Sequence, residues 1–373
     1  MYYYAGEADS STRYLLNAEK EIDDLYTESV SLKVVSFILN DNVLPYAGED
    51  FEKVMVNAFL ALNFARKGMD DDALVEARKV DLKLREYSRQ YEGKNKYRED
   101  AFIRLITGVL YENGGEVNNA FIAYQKSFET YEVYASNYGT QAPDFLLDDL
   151  VRTATNLSFR DETEKYQGLG GRLPENDKQW GGVLVVMCSG KGPIKVQEKK
   201  AVTIPDTSGV LHTFQIALPK FEPRYTPGRR YSVSATSDRD SVDATTVPAE
   251  DITAIAKAVL EDRLGLIYLK SGGRALLKFL ATEKAKKDIS KGSDNKARNV
   301  LTSLAVDLVV GATEQADTRT WRTLPAEIQL ARLHLPAGRY RFLVSSSDGE
   351  YVQQSSVEVK PGRTSFVLMD DVR

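Results

Sequence analysis

The chain has 373 residues, a formal net charge of −5, a charged fraction of 28% and one cysteine. This length is enough for two or three domains with sizeable cores, and the composition is that of an ordinary globular protein. An internal disulfide is excluded, and no apolar run reaches the roughly 18 residues that a membrane-spanning helix needs.

Charge is distributed unevenly along the chain. Residues 1–178 carry 21 basic and 32 acidic side chains, whereas residues 179–373 carry 28 basic and 22 acidic ones. This asymmetry predicts either docking of the two halves or an anionic partner for the second half, and solvated surface charge explains it equally well. Nucleic-acid binding is disfavoured because no basic run is interleaved with aromatic residues.

The N-terminal region predicts one helix and shows no signal peptide. Residues 10–40 carry apolar side chains at helical spacing, with Ser10 or Ser11 as a cap. The chain opens on three tyrosines, and neither a basic region nor an apolar stretch follows Met1. This pattern indicates either a cytoplasmic protein or a sequence that lacks its natural beginning.

Residues 44–91 predict two antiparallel helices joined by a glycine turn. From Phe51 to Ala65, apolar residues recur at steps of three and four, which is typical of one buried helix face. Gly68 suits the left-handed conformation that ends a helix, and three aspartates at 70–72 place negative charge at the start of the next one.

A second hairpin follows in residues 101–135. If Ala73 and Ala120 are equivalent, then Leu60, Ala61 and Phe64 match Thr107, Gly108 and Tyr111. A small residue, then an aromatic one, then an alanine opening the next helix is a loose form of the tetratricopeptide pattern. An ordinary helical bundle without a true repeat is the alternative.

We therefore predict an α+β protein with a tetratricopeptide-like domain over residues 1–166, closed by a helix over residues 142–159. A Gly- and Pro-rich linker over residues 167–182 joins it to a second domain over residues 183–373. Eight short apolar or alternating segments there predict strands. They are residues 183–188, 194–202, 211–218, 231–235, 327–333, 338–345, 353–359 and 364–369.

Helical patterns over residues 249–315 interrupt these strands. They predict a helical insert that begins near Pro248, breaks or kinks at Gly272 and Gly273, and ends with a helix over residues 300–315. A β-sandwich-like sheet with helices packed on one side would bury the apolar faces of both the strand patterns and the helix patterns.

Signals for catalysis are weak. His212 and His334 belong to no metal-ligand spacing, and Cys188 lies in an apolar run that predicts a buried, inert thiol. The glycines at 168, 170 and 171 lack the helix that a phosphate-binding loop requires. Adjacent carboxylates such as Asp148 and Asp149 point about 100° apart on a helix and do not converge on a substrate. We predict no catalytic residue, metal or cofactor.

Signals for protein binding are better. Stacked helical hairpins leave a groove lined by one face of each first helix, and such grooves receive a peptide or a partner helix. The predicted lining includes Met55, Ala58, Leu62 and Arg66 in the first hairpin, and Phe102, Leu105, Val109, Glu112 and Asn113 in the second. Packing of the apolar members against neighbouring helices is the alternative, so Arg66, Glu112 and Asn113 are the more testable contacts.

Two segments carry a family resemblance. Residues 40–84, with Leu-Pro-Tyr, Gly-Glu-Asp-Phe-Glu and Ala-Leu-Val-Glu-Ala-Arg elements, resemble uncharacterised bacterial envelope lipoproteins with tetratricopeptide-like helices. Residues 314–338, with Thr-Arg-Thr-Trp-Arg-Thr-Leu-Pro and Leu-Pro-Ala-Gly elements, resemble the same family. The resemblance implies a cleaved signal and an acylated cysteine, neither of which this sequence shows, and partners among cell-wall synthesis lipoproteins.

The second of these segments also predicts a structural corner. Asp317, Arg319 and Trp321 lie where an apolar helix would enter a strand, so Trp321 is expected to fill the join and Arg319 or Arg322 to pair with Asp317. A ligand site is the alternative.

The residue patterns predict a non-enzymatic scaffold that binds a protein in the helical groove, and the resemblance implies that it lies at the periplasmic face of the outer membrane. Self-association as a structural subunit, an enzyme of unrecognised type in the second domain, and a cytoplasmic location if Met1 is the authentic start are the alternatives.

Overall fold

The computed structural model describes residues 1–38, 45–173, 180–205, 209–224, 228–290 and 315–372. In these ranges the fold is mixed α+β, as the sequence predicts, with seven helices followed by strands and one inserted helix. The helices are α1 (Ala8–Ile38), α2 (Asp50–Arg66), α3 (Asp70–Gln90), α4 (Ala101–Asn113), α5 (Val117–Tyr138), α6 (Phe145–Asn156), α7 (Arg160–Gly168) and α8 (Ile252–Ser290). The strands are β1 (Trp180–Lys191), β2 (Ile194–Pro205), β3 (Leu211–Glu222), β4 (Tyr231–Thr236), β5 (Ser241–Thr245), β6 (Val247–Asp251), β7 (Pro325–Pro336), β8 (Gly338–Ser346), β9 (Val352–Val359) and β10 (Thr364–Asp371).

Three helical hairpins, α2–α3, α4–α5 and α6–α7, are joined by the same turn. In each turn the second residue after the first helix is left-handed: Gly68, Gly115 and Ser158, with φ of 71°, 76° and 61°. The next backbone N–H then bonds a carbonyl in the last turn of that helix: Met69 to Phe64, Glu116 to Tyr111 and Phe159 to Ala154. This is the Schellman pattern of helix termination. The recurrence makes the three hairpins structurally equivalent at their turns.

Two four-stranded sheets form a sandwich. Their strand orders are β10-β1-β7-β6 and β5-β4-β8-β9, and β1 pairs parallel with β10 and antiparallel with β7. Side chains of β1 alternate: Val183, Val185 and Met187 pack between the sheets, whereas Leu184 and Cys188 pack toward the helices. The sheet that contains β1 is therefore the middle layer, with the helices on one side and the second sheet on the other.

Every predicted strand is present, and three further elements were not predicted. The hairpin partner β5 and the edge strand β6 were not predicted, because Pro248 and the acids that follow it read as a helix start. Helix α7 follows the last predicted helix of the first domain, was not predicted itself, and extends two residues into the predicted linker. Helix α8 continues through Gly272 and Gly273, so the predicted break is wrong. The predicted helix over residues 300–315 lies almost wholly outside the described residues.

The helical part and the middle sheet share one apolar core. Phe51, Phe102 and Tyr131 from the helices belong to the same buried cluster as Ile328 and Phe366 from the sheet. The β2–β3 hairpin forms a separate two-stranded sheet whose apolar face packs on α8. Within the ranges given above, no helix is both long enough and apolar enough to cross a membrane.

Candidate functional site

The face of the helical hairpins that was expected to form a groove is covered by the chain's own sheet. Phe102 and Leu105 are completely buried in the shared core, so the prediction that they line an accessible groove is wrong. The other apolar members of the predicted lining are buried too: Met55, Ala58, Leu62 and Val109. The physical reason is that the middle sheet also presents an apolar face, and burying the two faces against each other removes both from water.

The polar members of the predicted lining bind the chain itself. The Asn113 side chain donates to the carbonyl of Thr364 at 2.9 Å and accepts from its N–H at 2.7 Å, which ties the end of α4 to the start of β10. The guanidinium of Arg66 donates to the carbonyl of Gly6 at 2.9 Å. These contacts assign Asn113 to docking of the sheet, and Arg66 to holding the N-terminal segment.

Glu112, the remaining residue of the predicted lining, belongs to what we call the paired cluster: Glu112, Asp149, Arg152 and Arg332. Arg152 contacts both carboxylates, and Arg332 of β7 reaches Asp149 at 3.3 Å. The Arg332 and Asp149 side chains are only 4% and 2% exposed. Burial raises the pKa of Asp149 to about 6 against the opposing effect of Arg332, and burial lowers the pKa of Arg152 to about 9. Two arginine side chains thus face two carboxyl side chains in a buried setting, and the opposite charges compensate one another.

The segment before β7 forms the predicted corner. Arg319 donates to both carboxylate oxygens of Asp317, at 2.9 and 2.7 Å, so Arg319 is the partner of Asp317. The ring of Trp321 packs against Phe59 of α2, and its backbone N–H donates to Glu52 at 2.7 Å. Glu52 also closes the capping box at the start of α2, so one carboxylate joins the helix terminus to the corner.

In a second buried cluster, the carboxyl groups form no ion pair with any residue in the described ranges. In this carboxyl–tyrosine cluster, Asp100 caps α4 and accepts from the hydroxyl of Tyr97 at 2.8 Å. Glu250 of β6 is fully buried, and neither of its carboxyl oxygens has a hydrogen-bond partner among the described residues. Burial, then the nearby Asp100, raises the pKa of Glu250 well above its usual range, and burial raises the pKa of Asp100 to about 6. The cluster is completed by Tyr134 and Tyr138.

Two cavities flank α8 where it passes the α2–α3 hairpin, and Arg263 and Leu266 line both of them. We refer to the pair as the α8 cleft. The Arg263 guanidinium donates to Glu49 at 2.5 Å, between the two cavities. The sequence reading placed no functional residue here, because α8 and the start of α2 are far apart in the chain.

The polar cavity of the cleft has a volume of about 260 Å³ and lies between α8, the β2–β3 hairpin and the corner. Its central feature is Lys195, whose side chain is almost completely buried and donates to Glu49 at 2.7 Å. The Lys195 ammonium also lies over the rings of Tyr46 and Phe221. The adjacent cations Lys195 and Arg263 hold the pKa of Glu49 below its usual value despite its burial.

The tyrosine cavity of the cleft has a volume of about 210 Å³ and lies between the end of α3, the α3–α4 loop and α8. Tyr87, Tyr91 and Tyr97 line it together with polar side chains of both sides. The hydroxyl of Tyr91 donates to Asp50 at 2.7 Å, and the ammonium of Lys53 lies over the ring of Tyr87. Because Tyr97 also reaches Asp100, the cavity adjoins the carboxyl–tyrosine cluster.

Two side chains that were considered for chemistry in the sequence, Cys188 and His334, are withdrawn from solvent. Cys188 is buried between the sheet and the helices, and burial raises the pKa of its thiol above the usual range. His334 lies beside the paired cluster, where burial and then Arg332 lower its pKa to about 3, so that it is neutral.

Comparison with family models, with curated proteins and with solved structures found no match.

Proposed function

We propose that the protein is a non-enzymatic scaffold that binds a protein partner in the α8 cleft. The observation that carries the proposal is an exposed apolar pair on α8. Leu266 and Leu269 are 55% and 74% exposed and lie three residues apart, hence on one helix face. Leu266 also lines both cavities of the cleft. A pair of large apolar side chains continuous with concave surface is typical of a contact site, whereas isolated exposed leucines are not.

We further propose that the three hairpins are a tetratricopeptide-like array. The shared turn at Gly68, Gly115 and Ser158 supports it, as does the close packing of Gly108 on Tyr124 between α4 and α5. The spacing of these turns is longer than the usual period of about 34 residues. According to this proposal, the inner face of the array packs against the sheet, and the sheet in turn positions α8 for a partner.

The envelope location remains a proposal that rests on the family resemblance alone. Intact mass of the protein from its native cell, with separation of membranes from cytosol, tests it. We expect a longer, lipid-bearing species in the membrane fraction. An unmodified chain that begins at Met1 in the cytosol would contradict the envelope location and leave the scaffold proposal in place.

The scaffold proposal is tested by site-specific crosslinking in the native cell. A photoreactive amino acid at Leu269 should give a discrete crosslinked species, while the same group at Val352, an exposed position on β9, should not. The crosslinked protein is then purified and its affinity measured. We expect Leu266→Ser with Leu269→Ser to weaken binding about tenfold or more, because central apolar contacts dominate interface energies.

A matched control keeps this measurement specific. Leu82 on α3 is 58% exposed and lies outside both cavities. Leu82→Ser should leave the affinity unchanged. Equal affinities for the wild-type chain and the double variant would show that the partner binds elsewhere, and absence of any crosslink at Leu269 would contradict the proposal directly.

A further inference from the structure

We propose that the tyrosine cavity holds an arginine side chain of the protein partner. The inference rests on the proposed function, according to which the ligand is a protein. The lining of the cavity indicates which type of side chain of that protein is bound. A guanidinium is flat, carries five hydrogen-bond donors and stacks on aromatic rings. The cavity offers the acceptors and the rings that such a group requires.

The first acceptor is the side chain of Asn95. Asn95 lines the cavity and is only 8% exposed. Its Nδ2 donates to the carbonyl of Tyr97 at 2.8 Å, which orients the amide, while its Oδ1 has no hydrogen-bond partner within the described part of the chain. A buried acceptor without a partner costs free energy, and a ligand N–H would remove that cost.

The second acceptor is Asp262 on α8. One of its carboxylate oxygens accepts from the backbone N–H of Lys96 at 2.5 Å, and Asp262 forms no ion pair with any residue that the structure describes. The neighbouring Glu261 takes the ammonium of Lys96 instead. The Asp262 side chain, which lines the cavity, therefore has accepting capacity beyond the bond from Lys96.

The rings supply the remaining surface. Tyr87 and Tyr97 are buried, and Tyr91 is half-buried, so each is held in place by its surroundings. A cation over a tyrosine face is favoured by the ring quadrupole, and Lys53 already uses this interaction on Tyr87. Three tyrosines beside two acceptors thus define a site for a flat cation rather than for an anion.

Both cations that line the cavity contact other carboxylates among the residues that the structure describes. Lys94 contacts Glu92 at 2.7 Å, and Arg263 contacts Glu49 at 2.5 Å. Each has a carboxylate of its own outside the Asn95–Asp262 pair. A cation that binds in the cavity therefore contacts Asp262 and the faces of the tyrosine rings.

The test uses ethylguanidinium as the probe and ethylurea as its neutral counterpart of nearly the same shape. Binding is followed by NMR of the full-length protein with labelled tyrosine rings, assigned from single Tyr→Phe variants. We expect saturable shifts of the Tyr87, Tyr91 and Tyr97 rings with ethylguanidinium, and binding about fivefold weaker or more with ethylurea. Asp262→Asn should weaken ethylguanidinium binding by a similar factor, whereas Glu261→Gln should leave it unchanged.

Equal binding of the two probes, equal binding by the Asp262→Asn variant, or shifts spread over tyrosines outside the cavity would overturn the inference. Its failure is distinguishable from failure of the proposed function. A partner that crosslinks at Leu269 and binds the Asp262→Asn variant normally would contradict the arginine site and leave the scaffold proposal in place. Specific ethylguanidinium binding without a crosslinked partner would support the cation site and contradict the scaffold proposal.

Discussion

The paired cluster and the carboxyl–tyrosine cluster lie at the same junction of helices and sheet but hold their charges in opposite ways. In the first, Asp149 and Glu112 face two arginines, one from α6 and one from β7. In the second, Asp100 and Glu250 face tyrosine hydroxyls and each other. Both sites are almost fully withdrawn from water.

The difference shows two ways in which a buried carboxyl is accommodated. A carboxylate next to arginines stays ionised, and its stability contribution depends on keeping both partners. A fully buried carboxyl without a cation, such as Glu250, favours its protonated form instead, because burial disfavours the charged form. Loss of a charged partner should therefore have its largest effect in the paired cluster, and the strongest pH dependence should come from Glu250 of the carboxyl–tyrosine cluster.

The largest effect is expected from breaking the paired cluster. Arg332→Met keeps an unbranched apolar stem but removes the guanidinium and leaves Asp149 with Arg152 alone, so the free energy of unfolding should fall by about 3–5 kcal/mol. Urea unfolding at pH 7 measures it. Arg339→Met, at an exposed position of β8, should change it by less than about 0.5 kcal/mol. Restoration of part of the loss by adding Asp149→Asn would show that the uncompensated charge is the cause, and a loss below about 1 kcal/mol would contradict the pairing.

The next effect is expected from packing beside the same cluster. A Cβ at Gly108 would lie 2.4 Å from ring carbons of Tyr124, which is fully buried and whose hydroxyl donates to Glu112 at 3.0 Å. Gly108→Ala should therefore destabilise the fold by about 1–3 kcal/mol through overpacking. Thermal and urea unfolding measure it, with Gly114→Ala as a control because Gly114 is right-handed and its nearest neighbour lies at 3.4 Å. Equal stabilities of the two variants would refute the close approach.

A pH-dependent effect is expected from the carboxyl–tyrosine cluster. Because the folded-state pKa of Glu250 is raised, the stability it contributes is complete below its ordinary value of 4.5 and is lost as pH rises through the folded pKa. Glu250→Gln does not titrate, so its stability relative to the wild-type chain should grow between pH 4 and pH 8 by about 1.4 kcal/mol or more, equivalent to one pKa unit. Urea unfolding across this range measures the difference.

Glu261→Gln is the control for that experiment, since it makes the same substitution at a side chain that is 61% exposed and not buried. Asp100 titrates in the same direction, from 3.8 toward about 6, and remains in both chains of the comparison. A Glu250→Gln difference that does not change with pH would mean that Glu250 is not held in its neutral form.

The smallest effect is expected from a turn outside both clusters. Ser158 is left-handed at the position where the other two hairpins have glycine. Ser158→Gly should stabilise the chain by about 1 kcal/mol, and Gly115→Ser should destabilise it by a similar amount. Differential scanning calorimetry measures both. No change in stability in either variant would mean that the three turns are not equivalent in energy. The two variants also give the size of a turn effect, with which the larger effects of the cluster variants can be compared.

The sequence alone determined the local elements of this protein. Periodic apolar residues located the first six helices and eight strands, because a buried face repeats at 3.6 or 2 residues whatever it packs against. Gly68 predicted the end of α2 because few other residues adopt its left-handed conformation without strain. The strand β6 was missed because Pro248 and the acids after it are compatible with a helix start, and pairing with β7 decided otherwise.

Only the tertiary structure decided what the helices bind and where a site lies. Phe102 and Leu105 read equally well as groove lining or as core, since periodicity gives the face of a helix and not its neighbour. The α8 cleft joins residues near 50, 90, 195 and 263, and no local pattern brings such positions together. Whether a carboxyl such as Glu250 is paired or protonated depends on groups contributed by other elements, so it is a property of the fold and not of the sequence around it.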